Sequence, residues 1–155
     1  MNNEIIAFLK KGKEVEGEFA KLFKETIPAS ESEDINKHVD LYIKVGVDIK
    51  GLKKINRTDN QTNEHIHWVE LRNVNNKDGW LYGDGADFFA FELEHYWIVV
   101  AKEKLQEFIA KKCKDKVRTA KPELYKLYQR TNRKDLITLV TSYDLCYISE
   151  KIIKK

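Results

Sequence analysis

The sequence predicts a mixed α/β fold in a single domain that spans residues 1–155. Helical periodicity in the first 26 residues and again in residues 102–112 indicates helices. Between these segments lies a series of short apolar runs, bounded by turn residues, that is typical of strands. Apolar residues make up 42% of the chain and charged residues 34%, and a chain of 155 residues can bury a sizeable core. A globular domain of alternating helices and strands is therefore expected.

The opening segment, residues 3–26, is predicted to be helical, with Gly12 separating a short first helix from the main one. Glu18 lies at helical spacing from Val15 and Leu22, so it borders the face that is expected to be buried. A polar connection is expected over residues 28–37. The apolar residues at three- and four-residue steps are Ile5, Phe8, Leu9, Val15, Phe19, Leu22 and Phe23.

Two strands are expected next, over residues 38–45 and 46–53, with Gly46 at or near the turn of a hairpin. Asp40 interrupts the first of these apolar runs, and Asp48 and Lys50 interrupt the second. Side chains alternate across a strand, so Asp48 and Lys50 are expected on the same face.

The remaining elements follow from the same patterns. Residues 102–112 are predicted to form an amphipathic helix with Leu105, Phe108 and Ile109 facing inward. A final short helix is expected over residues 142–153. Strands are predicted over residues 64–73, 80–83, 86–92, 96–100 and 135–140.

Asp40, Asp48 and Lys50, together with Glu18, form a pattern suited to metal-dependent hydrolysis. Mg²⁺ prefers oxygen ligands and is usually held by one or two carboxylates plus water and substrate phosphate. A lysine two residues from such a carboxylate can orient the attacking water or offset charge on the phosphate. Carboxylates inside apolar strands are also costly unless they are paired or bound to metal.

A glutamate on a predicted helix, Glu18, is followed along the chain by Asp40 and then by Asp48-Ile49-Lys50 on a predicted strand. In this order of residues the first third of the chain resembles the PD-(D/E)XK nuclease superfamily. This group contains restriction enzymes and archaeal-type Holliday junction resolvases. Val39 stands where the family name has proline. The resemblance implies a restriction-endonuclease-like αβββαβ core, in which a mixed central sheet is flanked by helices.

The resemblance also implies a Mg²⁺-dependent DNA endonuclease, with Mn²⁺ as a substitute. Asp40, Asp48, the backbone carbonyl of Ile49 and Glu18 would bind the metal, and Lys50 would act on water and phosphate. A branched-DNA resolvase is the preferred subtype, since the chain is too short for a separate sequence-reading domain. Glu70 is a candidate for tuning the site from the next strand, although a surface or supporting position is the more common role of such a residue.

An alternative function is a non-catalytic nucleic-acid-binding or interaction protein. Residues 102–134 carry twelve Lys or Arg against four Asp or Glu, a local balance of +8, which leaves −5 for the rest of a chain whose net charge is +3. Such a segment suits a phosphate backbone, but lysine-rich helix faces are also common on soluble proteins. In this alternative, Asp40, Asp48 and Lys50 form only structural ion pairs. The candidate DNA-binding residues are Arg118, Lys121, Arg130, Arg133 and Lys134.

Compartment and assembly are predicted from the same features. Cys113 and Cys146 are isolated, and no apolar run approaches a membrane span, so a cytoplasmic protein with reduced thiols is expected. A homodimer is expected, because symmetric cutting of two strands needs two sites related by a two-fold axis. Aromatic residues between Trp80 and Trp97 are candidates for that contact, and packing in one core is the alternative.

Overall fold

The structure is a computed structural model. It describes residues 13–14, 16–17, 20–21, 25–37, 39–54, 61–113, 118–119 and 121–155. The chain divides into two compact units, residues 1–45 and residues 46–155. In the described part of the chain the fold is mixed α/β, as the sequence predicts.

In the first unit, strands β1 (Thr26–Pro28) and β2 (Leu41–Ile43) pair antiparallel around helix α1 (Glu31–Lys37). Residues 28–37 were expected to be a polar connection, so α1 corrects that expectation. Its cause is local: the Ser30 hydroxyl accepts from the Glu33 backbone N–H at 3.3 Å, and the Glu33 carboxylate accepts from the Ser30 N–H at 3.1 Å. This reciprocal pair is a capping box, which starts a helix.

Part of the expected opening helix is seen among the described residues. Lys13, Glu14, Glu16, Gly17 and Ala20 are helical. The predicted end at residue 26 is too late, because Thr26 belongs to β1. Glu18, the candidate metal ligand in this segment, lies outside the described residues.

The second unit contains two four-stranded sheets. In the first, here called the β3 sheet, the order is β10-β6-β5-β3. It contains β3 (Val47–Lys50), β5 (Phe88–Glu92), β6 (Tyr96–Ala101) and β10 (Lys151–Lys154). Neighbouring strands are antiparallel except that β3 runs parallel to β5.

This pairing corrects the predicted hairpin of residues 38–45 and 46–53. β2 pairs with β1, and β3 pairs with β5, about 40 residues further along the chain. The correction matters for the site, because β3 is an edge strand of its sheet and its neighbour is a buried strand.

The second sheet, here called the β4 sheet, has the order β4-β9-β8-β7. It contains β4 (Ile66–Arg72), β7 (Arg118–Thr119), β8 (Leu127–Tyr128) and β9 (Leu136–Thr141). β4 and β9 are antiparallel along their lengths, and they confirm the strands predicted over residues 64–73 and 135–140. Helices α2 (Lys102–Lys112) and α3 (Ser142–Tyr147) follow β6 and β9 directly.

Both sheets and α2 bury side chains in one apolar cluster. Phe89 and Phe91 come from the β3 sheet, Val69 and Val140 from the β4 sheet, and Leu105 from α2. Phe89 and Phe91 have no exposed surface, and burial of each ring stabilises the fold by roughly 2 kcal/mol or more. Of the aromatic residues between Trp80 and Trp97, Phe89 and Phe91 thus lie in the core of the second unit, while Tyr96 is 43% exposed.

The strand expected over residues 80–83 is wrong, and the helix expected over residues 142–153 is confirmed only as far as Tyr147. Residues 80–83 form a turn, closed by hydrogen bonds from Tyr82 and Gly83 to the Gly79 carbonyl. Beyond Tyr147 the chain leaves the helix and returns as β10, paired with β6. In the part of the chain that the structure describes, no helix has the length and apolarity needed to cross a membrane.

Candidate functional site

The Asp48 and Lys50 side chains share one face of β3, as the alternation predicts. The Lys50 Nζ atom lies 2.6 Å from Oδ2 of Asp48. The Asp48 side chain is 37% exposed and that of Lys50 only 17% exposed. Val47 and Ile49, on the opposite face, are 46% and 57% exposed. The charged pair therefore lies on the more covered face of the strand, where an ion pair is less screened than on an open surface.

Lys50 is held by aromatic rings as well as by Asp48. Its Nζ atom lies 4.0 Å from the centroid of the Trp80 ring and 5.8 Å from that of Phe89. Trp80 in turn packs edge-on against Phe89, with ring centroids 4.7 Å apart. A cation over an indole face is attracted by the ring quadrupole. The aromatic core thus helps to position the ammonium group beside Asp48.

Contacts between Gly46 and Asp87 fix the start of β3. The sequence did not predict this role for either residue. The Gly46 N–H donates to Oδ2 of Asp87 at 2.8 Å, and the Gly46 carbonyl accepts from the N–H groups of Asp87 and Phe88 at 2.9 and 3.0 Å. A Cβ at Gly46 would lie 2.5 Å from the Gly85 carbonyl oxygen. The Gly-Asp-Gly-Ala-Asp run at residues 83–87, interpreted from the sequence as a turn, therefore aligns β3 beside β5.

A narrow cleft opens beside Lys50. Its wall contains Trp80 and Phe91 from the aromatic core, together with side chains from β4. Lys53 is a second cation in this wall. The full lining is Lys50, Gly51, Lys53, Ile66, His67, Trp68, Trp80 and Phe91.

His67 lies in this wall next to Ser142, a pair that resembles a base and a nucleophile. Burial lowers the pKa of His67 to about 4, with a smaller opposing effect of the Glu64 carbonyl, so the ring is neutral near pH 7. The Ser142 hydroxyl donates to the Glu64 carbonyl, and its oxygen lies 3.0 Å from Nε2 of His67. Because the hydroxyl has one proton, Nε2 must donate to it. His67 therefore cannot act as the base for Ser142 in this arrangement.

The other predicted metal-site residues are distributed as follows. Asp40 is exposed and belongs to the first unit, whereas Asp48 and Lys50 belong to the second. Glu70 is half-buried on β4 and shares a strand face with Ile66 and Trp68, but it is not part of the cleft lining. Glu18 lies outside the described residues. Among the residues that are described, no group of three or more His, Cys, Asp or Glu side chains is arranged to hold a metal ion.

The predicted DNA-binding cations differ in their surroundings. Arg130 donates from Nε to Oδ2 of the fully buried Asp135, so it is committed to a structural pair. Arg133 and Lys134 are exposed and line a groove at the end of the β4 sheet. Lys121 is exposed, and the backbone of Arg118 forms part of β7.

Comparison of the chain with protein-family models, with curated proteins and with solved structures gives no match.

Proposed function

We propose that this protein is a metal-dependent DNA endonuclease whose hydrolytic site is built on Asp48 and Lys50. The observation that carries the proposal is the placement of this carboxylate and this ammonium on the covered face of one strand, 2.6 Å apart and beside a cleft. An isolated surface pair would need neither the aromatic support under Lys50 nor the anchoring of β3 at Gly46. A positioned cation next to an accessible carboxylate suits phosphodiester hydrolysis.

Asp48 has the chemistry that a divalent cation needs. Its Oδ2 atom is paired with Lys50, while its side chain keeps more than a third of its surface exposed. Mg²⁺ is commonly held by one or two carboxylates with water and substrate phosphate completing the shell. The bound ion would supply Lewis-acid polarisation of the phosphodiester. The backbone carbonyl of Ile49, the next residue along β3, is the second ligand that we propose.

Lys50 has a separate role in the proposal. Its ammonium has three N–H donors, of which one points to Asp48. The remaining donors would orient the attacking water and offset the charge that develops on the phosphate oxygens. The indole of Trp80 restricts the ammonium to this position, which lowers the entropic cost of forming the reactive arrangement.

We also propose that the mixed α/β fold contains a restriction-endonuclease-like core. Its support within the second unit is a strand with Asp48 and Lys50 on one face, a mixed sheet that contains this strand, and α2 packed against β6 of that sheet. A preference for branched DNA is also proposed, because recognition by shape and backbone needs no separate reading domain.

The test is cleavage of four-way junction, flap, nicked and linear DNA in the presence of Mg²⁺ or Mn²⁺. We expect the wild-type protein to cut at least the junction, leaving 5′-phosphate and 3′-hydroxyl ends. Asp48→Asn and Lys50→Gln should each lower the cleavage rate by about a hundredfold or more. Lys53→Gln is the matched control, because it removes one positive charge from the same cleft. Its rate should stay within a few-fold of the wild-type rate.

A second candidate is a nucleic-acid-binding protein without catalysis. It is favoured by the lack of a three-carboxylate group among the described residues and by the exposed cations at the end of the β4 sheet. In this case DNA would be bound equally well with and without metal, and no strand would be cut. Cleavage that Asp48→Asn leaves unchanged would also exclude the proposed hydrolytic site.

A further inference from the structure

We propose that the groove between residues 73–78 and residues 129–134 is a binding site for the phosphate backbone of nucleic acid. The groove has a volume of about 490 Å³ and is lined by Val74, Asn75, Asn132, Arg133 and Lys134. It lies at the end of the β4 sheet and contains none of the residues that line the cleft beside Lys50. The choice of nucleic acid as the polyanion rests on the proposed function, but the groove does not require hydrolysis.

The first wall of the groove is a turn held by one side chain. Oδ1 of Asn73 accepts from the backbone N–H groups of Asn75 at 2.9 Å and Lys77 at 3.2 Å. Its Nδ2 atom donates to the Asp78 carbonyl at 3.1 Å. Asn76 sits in the left-handed region with a φ of 63°, which asparagine tolerates better than most residues. Asn75 is thus presented from a turn whose backbone is already ordered.

The second wall is ordered in a similar way and is tied to the first. The Gln129 side chain donates to the Arg133 carbonyl at 2.6 Å, and the Arg133 N–H donates to the Arg130 carbonyl at 3.1 Å. Nε of Arg72, at the end of β4, donates to the Lys134 carbonyl at 2.9 Å. The two walls therefore have a fixed relationship before any ligand binds, which reduces the entropic cost of binding.

The cations of this region have different partners. Arg130 is paired with buried Asp135, whereas the side chains of Arg133 and Lys134 have no carboxylate partner in the described part of the chain. Both are exposed and adjacent in the sequence. Their backbone groups stabilise the turn while their charged ends stay available, so the charges are not required for the local fold.

These groups have the chemistry that a phosphodiester backbone needs. The Arg133 guanidinium can bind two phosphate oxygens at once, and Lys134 adds a point charge next to it. The Asn75 and Asn132 side chains, one from each wall, can donate amide N–H groups to neighbouring phosphate or sugar oxygens. The groove is open, so a polymer can pass through it, and phosphate contacts of this kind do not depend on sequence.

The experiment measures binding of a short fluorescein-labelled DNA duplex, and of its single strand, by fluorescence anisotropy in EDTA. EDTA prevents metal-dependent cleavage, so a failed nuclease assay does not affect the result. We expect the double variant Arg133→Gln, Lys134→Gln to weaken binding about tenfold. The slope of log K against log salt should become shallower by about 2, since two phosphate contacts are lost.

The control is the double variant Lys151→Gln, Lys154→Gln, which removes the same charge from the exposed strand β10 of the other sheet. It should keep the wild-type salt slope. An equal loss of affinity in both double variants would overturn the groove as a site, because it would reflect net charge alone. Absence of DNA binding by the wild-type protein would overturn it too, as would a groove-dependent affinity for polyglutamate in place of DNA.

Discussion

Lys50 lies over the indole ring of Trp80, with Nζ 4.0 Å from the ring centroid. The two residues are 30 positions apart in the sequence, and Trp80 belongs to a turn rather than to the strand expected there. The contact joins the charged face of β3 to the aromatic core. It also makes the position of the proposed catalytic ammonium dependent on the packing of the second unit.

The Lys50–Trp80 contact should be measurable as a coupling energy. A double-mutant cycle with Lys50→Met and Trp80→Leu should give a coupling of about 0.5–1 kcal/mol in the free energy of unfolding. Urea denaturation of the wild-type protein, the two single variants and the double variant measures this coupling energy. The control cycle replaces Lys50→Met by Lys53→Met, for which we expect no coupling to Trp80. Equal couplings in the two cycles would contradict a specific stacking interaction.

His67 should make the stability of the protein depend on pH. Burial lowers its pKa in the folded state to about 4, against an ordinary value of 6.5, so the unfolded chain takes up the proton first on acidification. Its contribution is therefore fully present above about pH 6.5, falls as the pH decreases toward 4, and levels off below that. The total loss is on the order of 3 kcal/mol.

Urea unfolding of His67→Gln at several pH values tests this linkage. The variant should lose most of the pH dependence between 6.5 and 4 that the wild-type protein shows. His95→Gln, at an exposed position, should keep it. A wild-type slope that His67→Gln leaves intact would mean that another group controls the acid sensitivity.

The Arg130–Asp135 pair should be essential for stability, although Arg130 was predicted to contact DNA. Asp135 is fully buried, and its Oδ1 atom has no hydrogen-bond partner among the described residues, so removing the cation leaves a buried charge uncompensated. Arg130→Gln should lower the free energy of unfolding by about 3 kcal/mol. Arg133→Gln, in the same turn but without a carboxylate partner, should leave it unchanged. Thermal unfolding followed by circular dichroism compares the two, and similar melting temperatures would refute the prediction.

Gly46 should tolerate no side chain, because its Cβ would lie 2.5 Å from the Gly85 carbonyl oxygen. Gly46→Ala must displace the start of β3, and we expect a loss of about 1–3 kcal/mol in stability together with reduced cleavage. At Gly85 a Cβ would meet nothing within 4 Å, so Gly85→Ala is the matched control. Urea denaturation should show Gly85→Ala close to the wild-type protein. Comparable losses in both variants would count against the steric explanation.

We predict a homodimer, because symmetric cutting of both DNA strands needs two active sites. Light scattering at micromolar concentration should give twice the mass of one chain. Phe89 and Phe91 are already buried within one chain, so any aromatic contact must come from more exposed rings such as Tyr96. A monomer mass with and without DNA would contradict the dimer and favour single-strand nicking.

The sequence by itself determined the features that depend on neighbouring residues. Period-two alternation placed Asp48 and Lys50 on one face of a strand, and helical spacing located α2 and its buried Leu105 and Ile109. Such patterns are local because backbone geometry repeats every two or 3.6 residues. The start of α1 is also a local feature. Ser30 and Glu33 have the spacing of a capping box, so the sequence contains a signal for this helix although a polar connection was predicted there.

Only the tertiary structure decided what each local element meets. β3 pairs with β5 rather than with β2, because strand pairing depends on which distant apolar surfaces are buried together, and alternation carries no information about the partner. In the same way, composition could not separate Arg130 from Arg133. One of them reaches a buried carboxylate and the other stays exposed, because a side chain's partner is set by long-range packing.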